Sequence, residues 1–387
     1  MTSKKIAGLV LKLSLAIGLG FWVIQHVETS DILSHDIHGE AEDIHGQLIG
    51  EFATGQWEFK PARTPGQAEI LLQPNDFPQG VQIRPGFFTL LRHMDGNWFA
   101  LGVGLWAVLL FFAAYRWLIL LRAAGIQTQF SNSLRLCFIG YFFNNVMPGV
   151  TGGDLVRGAL VTRGLERNRW RAALSVIVDR LIGLLALLTL AALVLGFALW
   201  GSQNQEATHL AAIGKGVFLL LGTGVLLGAL YLSRRVRSAM GFERWLPKLP
   251  GSTTLAKIHE ALTIYRSQPL NILWAFLMSI PLQFCGVFSF WAIGQSVQSS
   301  LSPMDTFVIF PVVQTLSAVP IAPAGWGIGE SLYGTFFEWF GSSFTMGVAV
   351  SVLFRVTTQI GFGLVGGIVW MFSDRYKKHV HLIKEKI

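Results

Sequence analysis

Charge is what this sequence has least of. Only 13% of its 387 residues are Asp, Glu, Lys or Arg, against about 25% in a typical soluble domain. With 52% hydrophobic residues and a mean hydropathy of +0.51, that scarcity excludes an ordinary water-soluble fold. The apolar runs are continuous and rich in Leu, Val, Ala and Gly. They lack the period-two alternation of an outer-membrane barrel. Cysteine is nearly absent too. Cys137 and Cys285 both sit inside apolar runs, so neither a metal spacing nor a disulfide framework is legible. No HExxH, GxSxG or P-loop occurs, which removes the enzyme classes those motifs mark. No enzyme activity, metal or cofactor is expected. The net charge of +8 does not point to nucleic acid, because Lys and Arg cluster at the ends of apolar runs, as membrane topology requires.

Against that background one stretch stands out, Phe142–Arg157, reading FFNNVMPGVTGGDLVR. It sets Asn144, Asn145, Pro148, Gly149, Gly152, Gly153, Asp154 and Arg157 inside an apolar region. Pro148 removes a backbone donor, and the polar side chains need partners. Such a break survives in hydrocarbon only where it is buried in protein or lines a wet cavity. The apolar part before Pro148 covers about 21 Å as helix, too short for a core of about 30 Å. Basic residues flank both ends, Arg135 before and Arg163, Arg167, Arg169 and Arg171 after. Both ends therefore belong on the cytoplasmic side, and the segment reads as a re-entrant hairpin. A second break, Val319–Glu330, carries Pro323, Gly325, Gly327 and Glu330. No Lys or Arg lies between Ser267 and Phe354, so its ends read as external.

The fold expected is all-α and integral to the membrane: a polytopic helical bundle with about six full spans and two re-entrant hairpins in an inverted-repeat arrangement. Residues 1–27 form a first span. Residues 28–96, with 11 acidic residues against 4 Lys/Arg, form a small acidic extracytoplasmic insertion. Residues 97–372 form the bundle, with hairpins near 131–164 and 304–341, and 373–387 a basic cytoplasmic tail. Both termini are expected in the cytoplasm, and the membrane is the inner, cytoplasmic one. Within the insertion, the repeated D-I-H-G at Asp36–Gly39 and Asp43–Gly46 spaces His38 and His45 by seven. That spacing reads first as an amphipathic surface helix and second as a metal site. Gln56–Pro85 reads as short strand-like pieces. Arg116 and Arg122 read as the cytoplasmic flank of the second span.

Ionised side chains inside a bilayer cost several kcal/mol each, so they carry a role or a partner. The candidates are Asp154, Arg157, Asp179, Arg180, Glu330 and Arg355. Asp154 and Arg157, three apart, can share one helix face. A helix starting near Gly152 would turn N–H groups and positive dipole toward an anion such as phosphate. Arg355, at mid-span depth, can pair with Glu330. The plain alternative for each acid–arginine pair is a lock between helices, and Asn144 and Asn145 serve equally as caps for freed backbone groups. Glycine pairs at Gly224/Gly228 and Gly363/Gly367 permit close helix packing, including a homodimer.

With FFNNVMPGVTGGDLVRG, SVIVDRLIGLLALL and APAGWGIGE in that order, the chain resembles the lysylphosphatidylglycerol synthase transmembrane family. That family includes the membrane half of the bacterial multiple peptide resistance factor. The resemblance covers roughly residues 97–372 plus the first span. It implies a bundle with re-entrant hairpins that moves lipid between leaflets. Asn145, Pro148, Gly152, Gly153, Asp154 and Arg157 fall on the family's first motif, Asp179 and Arg180 on its second, and Pro323, Gly325, Gly327 and Glu330 on its third; with Asn144, Gly149 and Arg355 they are the expected substrate-binding residues. The chain shows no soluble aminoacyl-transferase domain, and its 28–96 insertion is long for the family. The expected function is a lipid flippase or transporter for a phospholipid or lipid-linked head group. The alternatives are a non-catalytic partner of an envelope lipid or glycolipid synthase and an enzyme on a lipid-linked substrate. Expected partners are membrane lipids, a second copy of the chain and a lipid-modifying enzyme, with no nucleic acid.

Overall fold

In hydrocarbon a backbone must satisfy its own N–H and C=O groups, so long apolar runs become helices. The computed structural model describes residues 21–37, 40–51, 56–62, 72–73, 82–146, 152–163, 165, 168–201, 205–232, 264–317 and 327–373, with Ser14 and Gly18. Within them four helical stretches are long and apolar enough to cross a bilayer: Gly96–Ala123, Arg169–Phe197, Pro269–Ser296 and Phe344–Met371. The protein is a multi-pass helical membrane protein. Two further expected spans are seen in part. The first span lies mostly outside the described residues. The other is a 28-residue helix whose apolar stretch is Ile213–Leu226.

In chain order the helices are α1 (Phe87–Arg92), α2 (Gly96–Ala123), α3 (Phe130–Val146), α4 (Gly152–Val161), α5 (Arg169–Gly201) and α6 (Gln205–Leu232). They continue as α7 (Pro269–Leu277), α8 (Ser279–Ser296), α9 (Pro303–Ser317), α10 (Ile328–Trp339), α11 (Phe344–Arg355) and α12 (Phe362–Met371). A π-helical turn, Val356–Gly361, joins α11 to α12. Each expected hairpin region thus holds two short helices on either side of a break, α3/α4 and α9/α10.

The insertion does not form the surface helix that the spacing of its histidines suggests. Residues 31–51 make two antiparallel strands, β1 (Asp31–Ile37) and β2 (Glu40–Glu51), flanked by β3 (Gln56–Pro61) and β4 (Gln82–Arg84) in the order β3-β2-β1-β4. The reason is non-local. The register sets Leu33 opposite Ile44 and Leu48 opposite Phe59. Leu33, Leu48 and Phe59 then bury one face, with Leu72 and Ile83 against them. His45 pairs with Ile32 across the ladder, while His38 lies outside the described residues. Among the described residues no His/Cys/Asp/Glu group is arranged to hold a metal.

Asp31 fixes this sheet to the bundle. Its buried carboxylate accepts from Leu48 N–H (2.6 Å), Gly86 N–H (2.7 Å) and the Thr89 hydroxyl (3.0 Å). Charge-assisted bonds of this kind are among the strong ones. The chain before it is tied to α11, where Glu28 N–H donates to Thr345 Oγ1 (3.0 Å).

The bundle interior forms two apolar bodies. One gathers Phe290, Phe310, Val313, Tyr333, Phe336, Phe337 and Phe354 from α8–α11. The other gathers Trp117, Leu121, Ile139, Phe143, Val156 and Val178 from α2–α5. Helices α2 and α8 run in close contact where Gly102 admits Ile293, and Ser289 Oγ donates to the Gly102 carbonyl (2.7 Å).

Candidate functional site

The first break is built by glycine. The backbone of α4 approaches α3 so closely that a Cβ on Gly153 would lie 1.9 Å from the Gly140 carbonyl oxygen. Asn144, near the end of α3, reaches across, and its Oδ1 accepts the Gly153 N–H at 2.8 Å. One of the freed donors at the start of α4 is therefore capped from the preceding helix. Asn145 turns the other way and donates to the Gln359 carbonyl in the π-turn at 2.6 Å. Pro148 and Gly149 lie outside the described residues, as do Pro323 and Gly325 of the second break.

Asp154 and Arg157 share α4, yet they do not pair with each other. Each crosses to α5. Asp154 Oδ2 meets Arg180 Nη2 at 2.5 Å, and Arg157 Nη2 meets Asp179 Oδ2 at 3.0 Å. Asp179 holds a second cation, Arg116 Nε, on its other oxygen at 2.9 Å. Arg116 is therefore no cytoplasmic flank. It is a buried member of the cluster, and its Nη1 donates to Ser279 Oγ at 2.9 Å. The guanidinium carbon of Arg157 lies over the Trp117 ring, 3.8 Å from its centroid. That ring is held by Nε1–H donation to Ser175 Oγ at 3.0 Å. Stacking over an aromatic face and forked donation to carboxylate are what a guanidinium does and an ammonium does less well. Two cations against the single carboxylate of Asp179 leave one surplus positive charge in this buried centre.

A groove opens beside it between α4 and the first half of α5, with a volume of about 730 Å³. Asp154 and Arg180 line its deep end. Thr162, Arg169 and Trp170 line the end at the start of α5. Leu155, Ala173 and Ile177 supply apolar wall between. Leu155 and Ile177 are more than half exposed, so the groove faces outward from the bundle. Arg169 and Arg180 are eleven positions apart, about 16 Å along the helix.

The second break ends at Gly327, whose φ of +84° favours glycine. Its N–H donates to Glu330 Oε2 at 2.6 Å. Glu330 Oε1 faces Arg355 Nε at 3.2 Å. Both residues are buried. Gly329 makes room for the guanidinium: a Cβ there would fall 2.0 Å from Arg355 Nη2. The structure thus brings together Asp154, Arg157, Asp179 and Arg180 as one group, and Glu330, Gly327 and Arg355 as another. The last span touches both, since Gln359, which receives Asn145, is one turn beyond Arg355. Sequence reasoning missed Arg116, Trp117, Ser279 and Gln359. The signal available for the first pair was an Arg-Trp dipeptide set well inside a span rather than at its end.

A membrane bundle of broken helices with paired charges buried in its core defines a class, that of multi-pass proteins with an internal polar site. The particular family follows from comparison. Residues 86–366 match the family model described as the lysylphosphatidylglycerol synthase TM region, and the chain belongs to that family. It is similar to a UPF0104 membrane protein of Methanothermobacter thermautotrophicus, 24% identical over 75% of this chain and 88% of the relative. It is also similar to the UPF0104 membrane protein PH1989 of Pyrococcus horikoshii, 22% identical over 72% of this chain and 88% of the relative. A third relative, MJ1595 of Methanocaldococcus jannaschii, is 19% identical over 67% of this chain and 80% of its own length.

Proposed function

We propose that the protein moves a lipid with a phosphate-bearing head group between the two leaflets of the inner membrane, without catalysing a reaction on it. The observation that carries this reading is the outward-facing groove between α4 and α5. Its wall suits an acyl chain, and its deep end adjoins a buried centre with a surplus positive charge. A lipid head group needs polar company on its way through hydrocarbon, while its tails need none. Arg169 at one end and Arg180 at the other offer cations at two depths along the path. The family's name, which refers to a lipid synthase, favours the same substrate class. In this reading α3/α4 and α9/α10 are re-entrant hairpins entering from opposite faces, the cytoplasmic and the external. Both chain termini lie in the cytoplasm. The open surface at Gly222 and Gly224 of α6, with nothing within 4 Å of a Cβ there, would serve a second copy or a lipid-modifying enzyme.

The test is reconstitution into vesicles carrying fluorescent phospholipid in one leaflet, with chemical quenching as the readout. Wild type accelerates movement. Arg180→Gln, at a half-exposed position the fold tolerates, slows it by about tenfold or more, the worth of a charge-assisted hydrogen bond. Ala159→Trp, which fills the groove from its exposed wall, slows it similarly. Wild-type protein that leaves the lipid where it was placed ends the proposal.

A further inference from the structure

The groove and the Asp179 centre leave the second charged pair without a part to play. Glu330 and Arg355 lie at mid-span, Arg355 being about 16 Å along the helix from the start of α11. The helices that meet here carry three buried hydroxyls without a hydrogen-bond partner among the described residues. Tyr333 Oη is one turn beyond Glu330 on α10. Ser351 Oγ is one turn before Arg355 on α11. Thr315 Oγ1 is near the end of α9. All three residues are more than nine-tenths buried, and among the described residues none of these hydroxyls has a hydrogen-bond partner. Glu330 Oε1 meets Arg355 as an ion pair but receives no well-aligned hydrogen bond. Buried hydroxyls are normally paired, and clusters of exceptions mark places where something else is bound at some stage.

The charges nearby are few. Tyr333 faces Glu330 from α10, and Arg355 faces it from α11. Helix α8 carries no ionisable group other than Cys285. Helix α9 has only Asp305, at its far, exposed end. Helix α2 presents Arg116 to the other centre and Arg122 at its distant end. The segment 318–326, AVPIAPAGW, contains no ionisable residue. Among the described residues Arg355 is the counter-charge paired with Glu330.

We propose that Glu330 is a proton-binding site, loaded when the phosphate of a lipid head group draws Arg355 away from it. The inference rests on the lipid-transport reading and adds a co-bound proton to it. The charges balance at each stage. At rest the pair sums to zero. When a phosphodiester anion takes Arg355 as partner, Glu330 is left as an uncompensated buried carboxylate, a state that is strongly disfavoured. Uptake of one proton from water converts it to the neutral acid, and the site again sums to zero. No bond to carbon or phosphorus changes. The hydroxyls of Tyr333 and Ser351, each one turn from a member of the pair, can donate or accept, so they suit the carboxyl in either form. Buried intramembrane acids of this kind mark proton relays.

The experiment uses purified full-length protein in weakly buffered detergent, a short-chain phosphatidylglycerol as probe and a pH indicator. The expected result is proton uptake in equal number to the bound probe for wild type. Glu330→Gln, whose amide oxygen can still accept the Gly327 N–H, should bind probe with no uptake. Infrared difference spectra of wild type, which need no variant, should show the carbonyl band of a protonated carboxylic acid growing as probe binds. Probe binding without proton uptake overturns the proton site and leaves the lipid reading standing. Uptake that persists in Glu330→Gln assigns the proton elsewhere and also overturns it. Failure of the probe to bind at all removes the lipid reading and this inference together.

Discussion

Asp179 is the residue on which the inner charge centre turns. Removing its charge leaves Arg116 and Arg157 buried against each other, so Asp179→Asn should cost about 3–5 kcal/mol. A large drop in the thermal midpoint of the detergent-solubilised protein, read by size-exclusion fluorescence, would show it. Arg180→Gln breaks only the half-exposed pair with Asp154 and should leave that midpoint within about 1 kcal/mol of wild type. A pH effect is expected at Glu28, at the edge of the sheet. Burial raises its carboxyl above the usual range, and Arg84 and His45 offset this only in part. A carboxyl raised in the folded state favours folding at low pH. That contribution is lost as pH climbs from the unfolded value of 4.5 through the higher folded one. Glu28→Gln should therefore stabilise the protein at neutral pH and not at pH 4, with solvent screening holding the gain below about 1 kcal/mol. Thermal melts at the two pH values decide it. At this scale the sequence shows which residues carry charge in the membrane but not their partners. Asp154 and Arg157, three apart on one helix, look like a pair. Their actual partners, Arg180 and Asp179, are adjacent on another helix. The crossing depends on how α4 docks on α5, which no local spacing encodes.

Among elements, the contact of α4 with α3 rests on the absence of one carbon atom. Gly153→Ala sets a Cβ against backbone at Gly140, which cannot move aside as a side chain would, so a loss of about 1–3 kcal/mol or more is expected. Gly158→Ala, one turn further along the same helix, meets nothing nearer than 3.9 Å. It should be neutral or gain up to about 1 kcal/mol from helix propensity. Thermal stability of the two variants side by side separates packing from propensity. The helix ends at Val146 and Ser317, and the new starts at Gly152 and Ile328, agree with Pro and Gly set inside apolar runs, where they have few other uses. The sheet at 31–61 was not legible in the sequence. Its D-I-H-G repeat carries a helical spacing, and its strands are stabilised by partners across the ladder as far as 15 residues away, such as Leu33 with Ile44 and Asp31 with Gly46. Arg116 was misplaced for a related reason. Grouped with Arg122 it reads as a flank although it lies two turns inside the helix, and the position of Asp179 on another helix supplies its partner.

For the molecule as a whole, the sidedness of the two breaks is the feature that charge patterning suggests and geometry alone does not assign. In a background with Cys137 and Cys285 replaced by alanine, a cysteine at Ser342 should react with a membrane-impermeant maleimide added outside intact cells. A cysteine at Thr162 should react only after the membrane is opened. Labelling of both from the same side would remove the inverted arrangement while leaving each helix pair intact.

The π-turn at Val356–Gly361 has one more consequence. Upstream of it, Arg355 points at Glu330. Downstream, Gly363 sits against Asn145, Gly366 against the Phe138 carbonyl and Gly367 against Phe142. A π-turn accommodates an additional residue in the helix, and each residue advances an α-helix by about 100°. Regular α geometry through 356–361 at unchanged length would turn one of those two faces off its partner by about 100°. The span would then keep its length, its hydropathy and every functional side chain, and still fail to close one half of the bundle. Here the phase of the helix is as much an inherited trait as any residue on it.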